Sequence, residues 1–312
     1  MLCDRRAFLA SSLAFAAPPA KPWMIGANTA VLGAELFTAI RAMTELGFPT
    51  IEIHPMGRPE ATPKRFPGFE WDKLDGSLRR KLGKALRPFR TITTHLPYTG
   101  LNYIDRDEAK RAESIRTIET ALRGSAELGA KLAVLHPQGC TDEELPARWN
   151  ELLDLFRRWA TLAKSLGVRL TLETMFPRSV RDFVRMIKEA DHANLGCTID
   201  VGHQGKYAEL VARVRPEDRA TAAGIRAYND TTLAIAEQLG ERVWHYHVHD
   251  VDPETWVEHK PLVHGFVDYA RLFALMRRQR YDGVLLLEIG GPADELTGHL
   301  READRKLKAW QA

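Results

Sequence analysis

Cysteine is scarce in this chain: 312 residues hold three, Cys3, Cys140 and Cys197. No two stand in a C-x-x-C spacing, so neither a zinc ribbon nor a dithiol redox centre is written into the sequence. The density is also too low for a disulfide framework. Charge of one sign is equally sparse, with 44 Lys+Arg against 41 Asp+Glu and a net charge of +3. That surplus is too small to argue for nucleic acid or an anionic membrane, and no basic strip with interleaved aromatics appears. No apolar run reaches the ~20 residues of a spanning helix. No G-x-G-x-x-G follows the first strand-like run, which speaks against a dinucleotide-binding open sheet. No glycine-rich phosphate loop follows the last two strand-like runs, so a phosphorylated substrate is not indicated. Linkers, low-complexity tracts and a second domain are absent too. What is present is a globular composition, 45% hydrophobic and 27% charged, at a length suited to one large domain.

The first twenty residues stand apart. Arg5 and Arg6 precede a run of small and apolar residues from Leu9 to Ala17, and Ala14-Phe15-Ala16 offers an A-x-A-like cleavage site. Residues 1–20 read as a twin-arginine export signal, and residues 21–312 as the mature protein. The expected location is periplasmic or secreted, with no membrane attachment once the signal is removed.

Beyond that point strand-like and helical runs alternate. Strands are expected at 24–30, 49–54, 91–96, 131–136, 169–174, 195–201, 243–249 and 283–289. Helices are expected at 34–46, 71–87, 107–128, 146–166, 179–189, 216–239, 268–278 and 294–310. Four helical runs end in Leu-Gly, at Gly47, Gly129, Gly167 and Gly240, as expected when a left-handed glycine stops a helix. Strict alternation implies a parallel sheet closed into a single-domain (β/α)8 TIM barrel.

Barrel enzymes work at the carboxyl ends of their strands. Those ends carry Glu52 and His54, His95, His136, Glu173, Asp200 and His203, a histidine-rich run with Asp250, and Glu288. Any one of these can be a satisfied interior residue. Together they are harder to dismiss, because carboxylates are rarely buried unless paired or metal-bound. Glu173, Asp200, Glu288 and a histidine of the seventh run form a divalent-metal set. His245, His247 and His249 alternate and so share one strand face, which leaves three candidates for that histidine.

Three stretches carry a family resemblance: THLPYTGLNYIDRDEAKRAESIRTIETALRGSAELGAKLAVLHPQG, TIDVGH and HVHDVDPETWVEHKPLVHGFVDYARLFALMRRQRYDGVLLLEI. From about Met24 to the end the chain resembles the xylose isomerase-like barrel superfamily, which includes ketose 3-epimerases, hydroxypyruvate isomerase, inosose dehydratase and endonuclease IV. The resemblance implies one shared metal site at Glu173, Asp200, His247 and Glu288. The H-x-x-D spacing to Asp250 selects His247, with His245 deeper in the barrel and His249 on the rim. It implies that Glu173 and Glu288 also exchange protons with substrate, and that His203 contacts it. His95 and His136 match histidines that hold extra metals in endonuclease IV, and are read here as substrate-binding. The aspartate of that enzyme's Asp-x-His pair is missing at Val257-Glu258-His259, and its G-x-G is altered at Val263-His264-Gly265. One metal is therefore expected rather than a cluster.

An oxygen-rich site with one imidazole suits Mn²⁺, Mg²⁺ or Co²⁺, and Zn²⁺ also fits. The implied activity is a metal-dependent isomerase or epimerase on a small carbohydrate. The alternatives are a lyase or hydrolase on keto-sugars or keto-glycosides, a non-enzymatic sugar binder and, last, an endonuclease. Glu52 and His54 are read as substrate-binding or as fillers of the barrel mouth. Trp256, in the loop after the seventh strand, is read as a sugar-stacking platform. Arg178 and Lys206 are placed to meet a carboxylate or phosphate. Residues 204–219 are read as a lid, or as a surface for packing with another subunit in a homo-oligomer.

Overall fold

A computed structural model describes residues 22–32, 35–55 and 71–311. The expected export signal lies outside the described residues. Eight strands, β1 (Met24–Asn28), β2 (Thr50–Ile53), β3 (Thr91–His95), β4 (Leu132–Leu135), β5 (Arg169–Glu173), β6 (Leu195–Asp200), β7 (Val243–Val248) and β8 (Val284–Leu287), pair in chain order as a closed parallel barrel. The seam closes by β1 pairing with β8, with Met24 opposite Val284 and Ala27 opposite Leu287.

The outer helices are α1 (Leu36–Glu45), α2 (Gly76–Leu86), α3 (Glu108–Glu127), α4 (Leu145–Ser165), α5 (Val180–Ala190), α6 (Ala208–Arg213), α7 (Ala222–Leu239), α8 (Tyr269–Arg278) and α9 (Ala293–Gln311). No helix among the described residues is long and apolar enough to cross a membrane. Strand side chains alternate between two environments. Those facing outward, such as Ile51, Ile53, Leu170, Leu172, Ile199, Leu285 and Leu287, join the apolar faces of the helices in one continuous core. On α9 the buried set Leu296, Leu300, Ala303 and Leu307 follows the helical repeat. On α4 the buried set includes Leu152, Phe156, Trp159 and Ala163.

The inward set is unusually polar for a barrel. Asn28, Glu52, Thr93, Thr171, Thr198, His245 and His247 are all fully buried. In register, Asn28 lies opposite Glu52 and Glu52 opposite Thr93. Such groups survive burial only with partners, and their hydrogen bonds run across the strands towards the carboxyl-end mouth.

Two expectations change. The helix expected at 71–87 splits into a short 3-10 turn at Trp71–Lys73 and α2, because the Asp75 carboxylate accepts from the Ser77 and Leu78 N–H groups and restarts the helix. The helix expected at 216–239 begins at Ala222 instead, where Thr221 caps the Gly224 N–H. Residues 204–219 hold α6, which packs Leu210 and Val214 into a second apolar cluster with Ala227, Tyr228, Val251 and Trp256.

The helix-stopping glycines hold positive φ, +77° at Gly47, +80° at Gly129 and +74° at Gly167. A Cβ at Gly167 would meet nothing within 4 Å, so Gly167→Ala isolates backbone cost. It should destabilise the fold by roughly 1–2 kcal/mol. Phe156→Ala, which empties a fully buried site, should cost about 3–5 kcal/mol. Urea unfolding followed by circular dichroism measures both.

Candidate metal centre

The carboxyl ends of β5 to β8 bring four donors together. Glu173, Asp200, His247 and Glu288 each offer one ligand atom within 4.8 Å of the others. His247 Nδ1 lies 2.9 Å from Glu173 Oε1, 3.3 Å from Glu288 Oε2 and 3.8 Å from Asp200 Oδ2. Asp200 is asymmetric. Its Oδ1 accepts from the Gly202 N–H at 2.6 Å and pairs with His249 Nε2 at 3.0 Å, whereas the buried Oδ2 has no hydrogen-bond partner. A buried carboxylate oxygen left open beside an imidazole and two further carboxylates fits a divalent cation.

Glu173 is enclosed by histidines. Its Oε2 faces His136 Nε2 at 2.7 Å and His95 Nε2 at 3.2 Å. Burial alone would raise this carboxyl, but His136 and His247 override it and hold the group well below the usual carboxylate range. The same contest at Asp200, won by His203 and His249, ends the same way. For His95, burial is outweighed by the Glu173 hydrogen bond and charge, which lift the ring to about 9. Its Nδ1 meanwhile faces the Leu96 carbonyl at 3.0 Å, so both ring nitrogens can donate. His136 is brought down to about 4 by burial despite the nearby Glu173. His95, His136 and Glu173 form a second donor set of metal-binding geometry.

These groups floor a cavity of about 1620 Å³, whose walls include His54, Tyr98, His203, Lys206, Glu258 and His264. His203 Nδ1 donates to the Thr174 carbonyl at 2.5 Å, which leaves Nε2 towards Asp200 Oδ2 at 3.8 Å. Lys206 Nζ pairs with Glu258 Oε1 at 3.0 Å on the wall. The loop from β7 to α8 is held by Asp250. Its Oδ1 accepts from the Val251 and Val267 N–H groups at 3.0 Å each, and its Oδ2 from that of Val263 at 2.9 Å.

Several residues sit elsewhere than expected. Glu52 lies beneath the mouth at zero exposure and does not line the cavity, whereas His54 does. Trp256 is packed in the second apolar cluster, with its ring 5.2 Å from Tyr228 and the Arg219 guanidinium 4.8 Å from its centroid. It is a core side chain and not part of the cavity wall. His249 is fully buried against Asp200 instead of on the rim. Arg178 lies by Asp142 on the outside. Asn28 went unnoticed in the sequence. Its amide donates to Glu52 Oε1 at 3.0 Å and to Glu288 Oε1 at 2.7 Å. A polar residue ending the apolar run MIGAN was the available signal.

The family described as xylose isomerase-like TIM barrel matches residues 40–309. A D-tagatose 3-epimerase-like protein of known structure superposes with a TM-score of 0.62 and 22% identity, covering 91% of this chain and 99% of that one. A 3-keto-D-glucoside 4-epimerase from E. coli gives a TM-score of 0.63 and 18% identity, covering 92% and 99%. Among curated sequences, an uncharacterized protein of Methanocaldococcus jannaschii is 24% identical over 216 residues, 63% of this chain and 64% of that protein. The chain thus spans under two thirds of that relative's length.

The buried charges set a pH optimum for stability of the metal-free protein. His54 and His245 are lowered from 6.5 to about 3 and His136 to about 4, while Glu52 is lowered from 4.5 to about 2. As pH falls below 6.5 the unfolded chain takes up protons that the folded one refuses, so stability declines. Above 6.5 the unfolded chain releases protons that the fold retains, on His95 to about 9 and on His247 and His249, which are raised as well, and stability declines again. Urea midpoints measured from pH 3 to 10 should peak near 6.5. A midpoint still rising between 6.5 and 9 would contradict this balance.

Proposed function

The chain belongs to the xylose isomerase-like TIM barrel family, and on that premise we propose that it is a divalent-metal-dependent sugar isomerase or epimerase. The observation that carries the reading is the pair Glu173 and Glu288. They reach the same His247 Nδ1 from β5 and from the end of β8, at 2.9 and 3.3 Å. A sugar seated above His247 lies between two carboxylates.

A bound Mn²⁺, Mg²⁺, Co²⁺ or Zn²⁺ would supply Lewis acidity to adjacent carbonyl and hydroxyl oxygens and so ease loss of the proton between them. Glu173, Asp200, His247 and Glu288 would hold it. One glutamate takes the proton from the carbon α to the carbonyl, leaving an enediolate. The other returns a proton to the opposite face or to the neighbouring carbon. Their surroundings differ, as this division of roles requires: Glu173 is enclosed by His95 and His136, and Glu288 opens to the cavity. His203 and His54 reach the same space and suit sugar hydroxyls. The names of two structural neighbours, a D-tagatose 3-epimerase-like protein and a 3-keto-D-glucoside 4-epimerase, support a ketose or keto-sugar substrate. The twin-arginine pattern supports action outside the cytoplasm.

A second reading, elimination or hydrolysis of a keto-glycoside, is favoured by cavity size. The cavity measures about 1620 Å³.

Ketohexoses incubated in D₂O with the metal-loaded protein should gain deuterium at the carbon next to the carbonyl, read by NMR. Glu173→Gln and Glu288→Gln should each slow this by roughly 10²–10⁴-fold with unchanged circular dichroism. Full exchange in both variants would sink the reading. Loss of water or of an aglycone, in place of exchange with retention of the sugar, would favour the second.

A further inference from the structure

Glu52 is not used by the chemistry proposed above. It is fully buried and does not line the cavity, yet its carboxylate stands 3.2 Å from His247 Nε2 and 3.7 Å from His245 Nε2. Val134 and Leu286 show that apolar side chains also serve in these strands, so filling space does not call for a charge. The carboxylate is also well anchored. Thr93 Oγ1 donates to its Oε2 at 3.0 Å and Asn28 Nδ2 to its Oε1 at 3.0 Å.

What it faces is the far side of a metal-donor ring. His247 Nε2 lies 3.2 Å from Glu52 Oε1, off the line of a straight hydrogen bond, while Nδ1 looks up at the three carboxylates. A neutral imidazole offers a lone pair at Nδ1 only if its proton sits on Nε2, and a carboxylate beside Nε2 favours that tautomer. Asn28 extends the arrangement to a second donor. Its Oδ1 accepts from the Ala30 N–H at 2.8 Å and faces His54 Nε2 at 3.1 Å, which fixes the amide. Its N–H groups then hold Glu52 and also Glu288 Oε1 at 2.7 Å, leaving Glu288 Oε2 as the oxygen towards His247 Nδ1.

We infer that Glu52 and Asn28 are positioning residues for the metal centre: Glu52 holds the His247 proton on Nε2, and Asn28 turns Glu288 so that Oε2 faces the ion. This rests on the metal reading above. The competing role for Glu52 is as a ligand itself, since Glu52, His245 and His247 also have metal-binding geometry.

Titration of the metal-free full chain with Mn²⁺, followed by calorimetry, separates these. Glu52→Gln and Asn28→Ala should each bind Mn²⁺ 10- to 100-fold more weakly with the wild-type number of ions. The double variant should lose less than the product of the two, because both act through one linked network. Thr94→Val removes a buried hydroxyl that pairs with Ser125 away from the site, and should bind within twofold of wild type. In Zn²⁺-loaded, ¹⁵N-histidine-labelled protein, His247 should carry its ring proton on Nε2. That resonance should move upfield in Glu52→Gln. Losses under tenfold in both single variants, one ion fewer in Glu52→Gln, or a wild-type His247 protonated on Nδ1 would each overturn the inference. If Glu52→Gln does not fold, Asn28→Ala decides alone by the same tenfold criterion. Failure of the wild type to bind Mn²⁺ would remove the metal reading too, whereas tight binding shared by every variant would remove only this inference.

Discussion

Glu52, Glu173 and Asp200 are carboxylates shut away from water inside the barrel, each at 1% exposure or less. Such groups cost several kcal/mol apiece unless charge and hydrogen bonds meet them. Here histidine meets them: His95 and His136 at Glu173, His249 and His203 near Asp200, His245 and His247 at Glu52. Two kinds of ring result. His95, His247 and His249 are raised by the carboxylates beside them, while His54, His136 and His245 are lowered by burial. The polar interior follows from this need. Thr93, Asn28 and Thr198 stand where a barrel would ordinarily place branched aliphatic side chains; Thr93 and Asn28 donate to Glu52, and Thr198, which donates to Thr171, lies 3.4 Å from His245 Nδ1.

The fold was legible because its signals are local. Leu-Gly stops at Gly47, Gly129 and Gly167 mark where helices hand over to strands, and each takes positive φ. The strand-end rule marked Glu173, Asp200 and Glu288 among other polar residues and left three histidines open; the family resemblance chose His247, and the barrel gathers these four into one space. What escaped depended on three-dimensional neighbours. Glu52 ends a strand like the others, yet only the register with Asn28 and Thr93 reveals that it sits a layer lower. Trp256 lies in a loop, where an aromatic ring suggests a platform. α6, too short to announce itself by periodicity, covers it together with Tyr228. His249 alternates with His247 in sequence, but its place against Asp200 required knowing that the Gly202 turn folds over it. A Cβ at Gly202 would sit 2.2 Å from the His249 ring.

Barrel and chemistry are loosely coupled in this fold. Structures only 18–22% identical to this chain share its architecture over more than nine tenths of its length. The Lys206–Glu258 pair and the mouth residues His264 and His299 face the upper cavity, where the part of a substrate remote from the metal would lie. Binding energy gathered there can serve the reacting carbon below.

The seam between the first and last strands has a consequence for assembly. Trp23, just before β1, donates to the Tyr281 carbonyl at 2.9 Å just before β8, and at the other end of the same seam Asn28 grips Glu288. The amide that orients the last donor thus lies 260 positions before it. A nascent chain that has made seven strands owns three donors and lacks the fourth, and a barrel not yet sealed lacks the amide that orients it. An ion bound by all four donors would therefore certify a finished barrel.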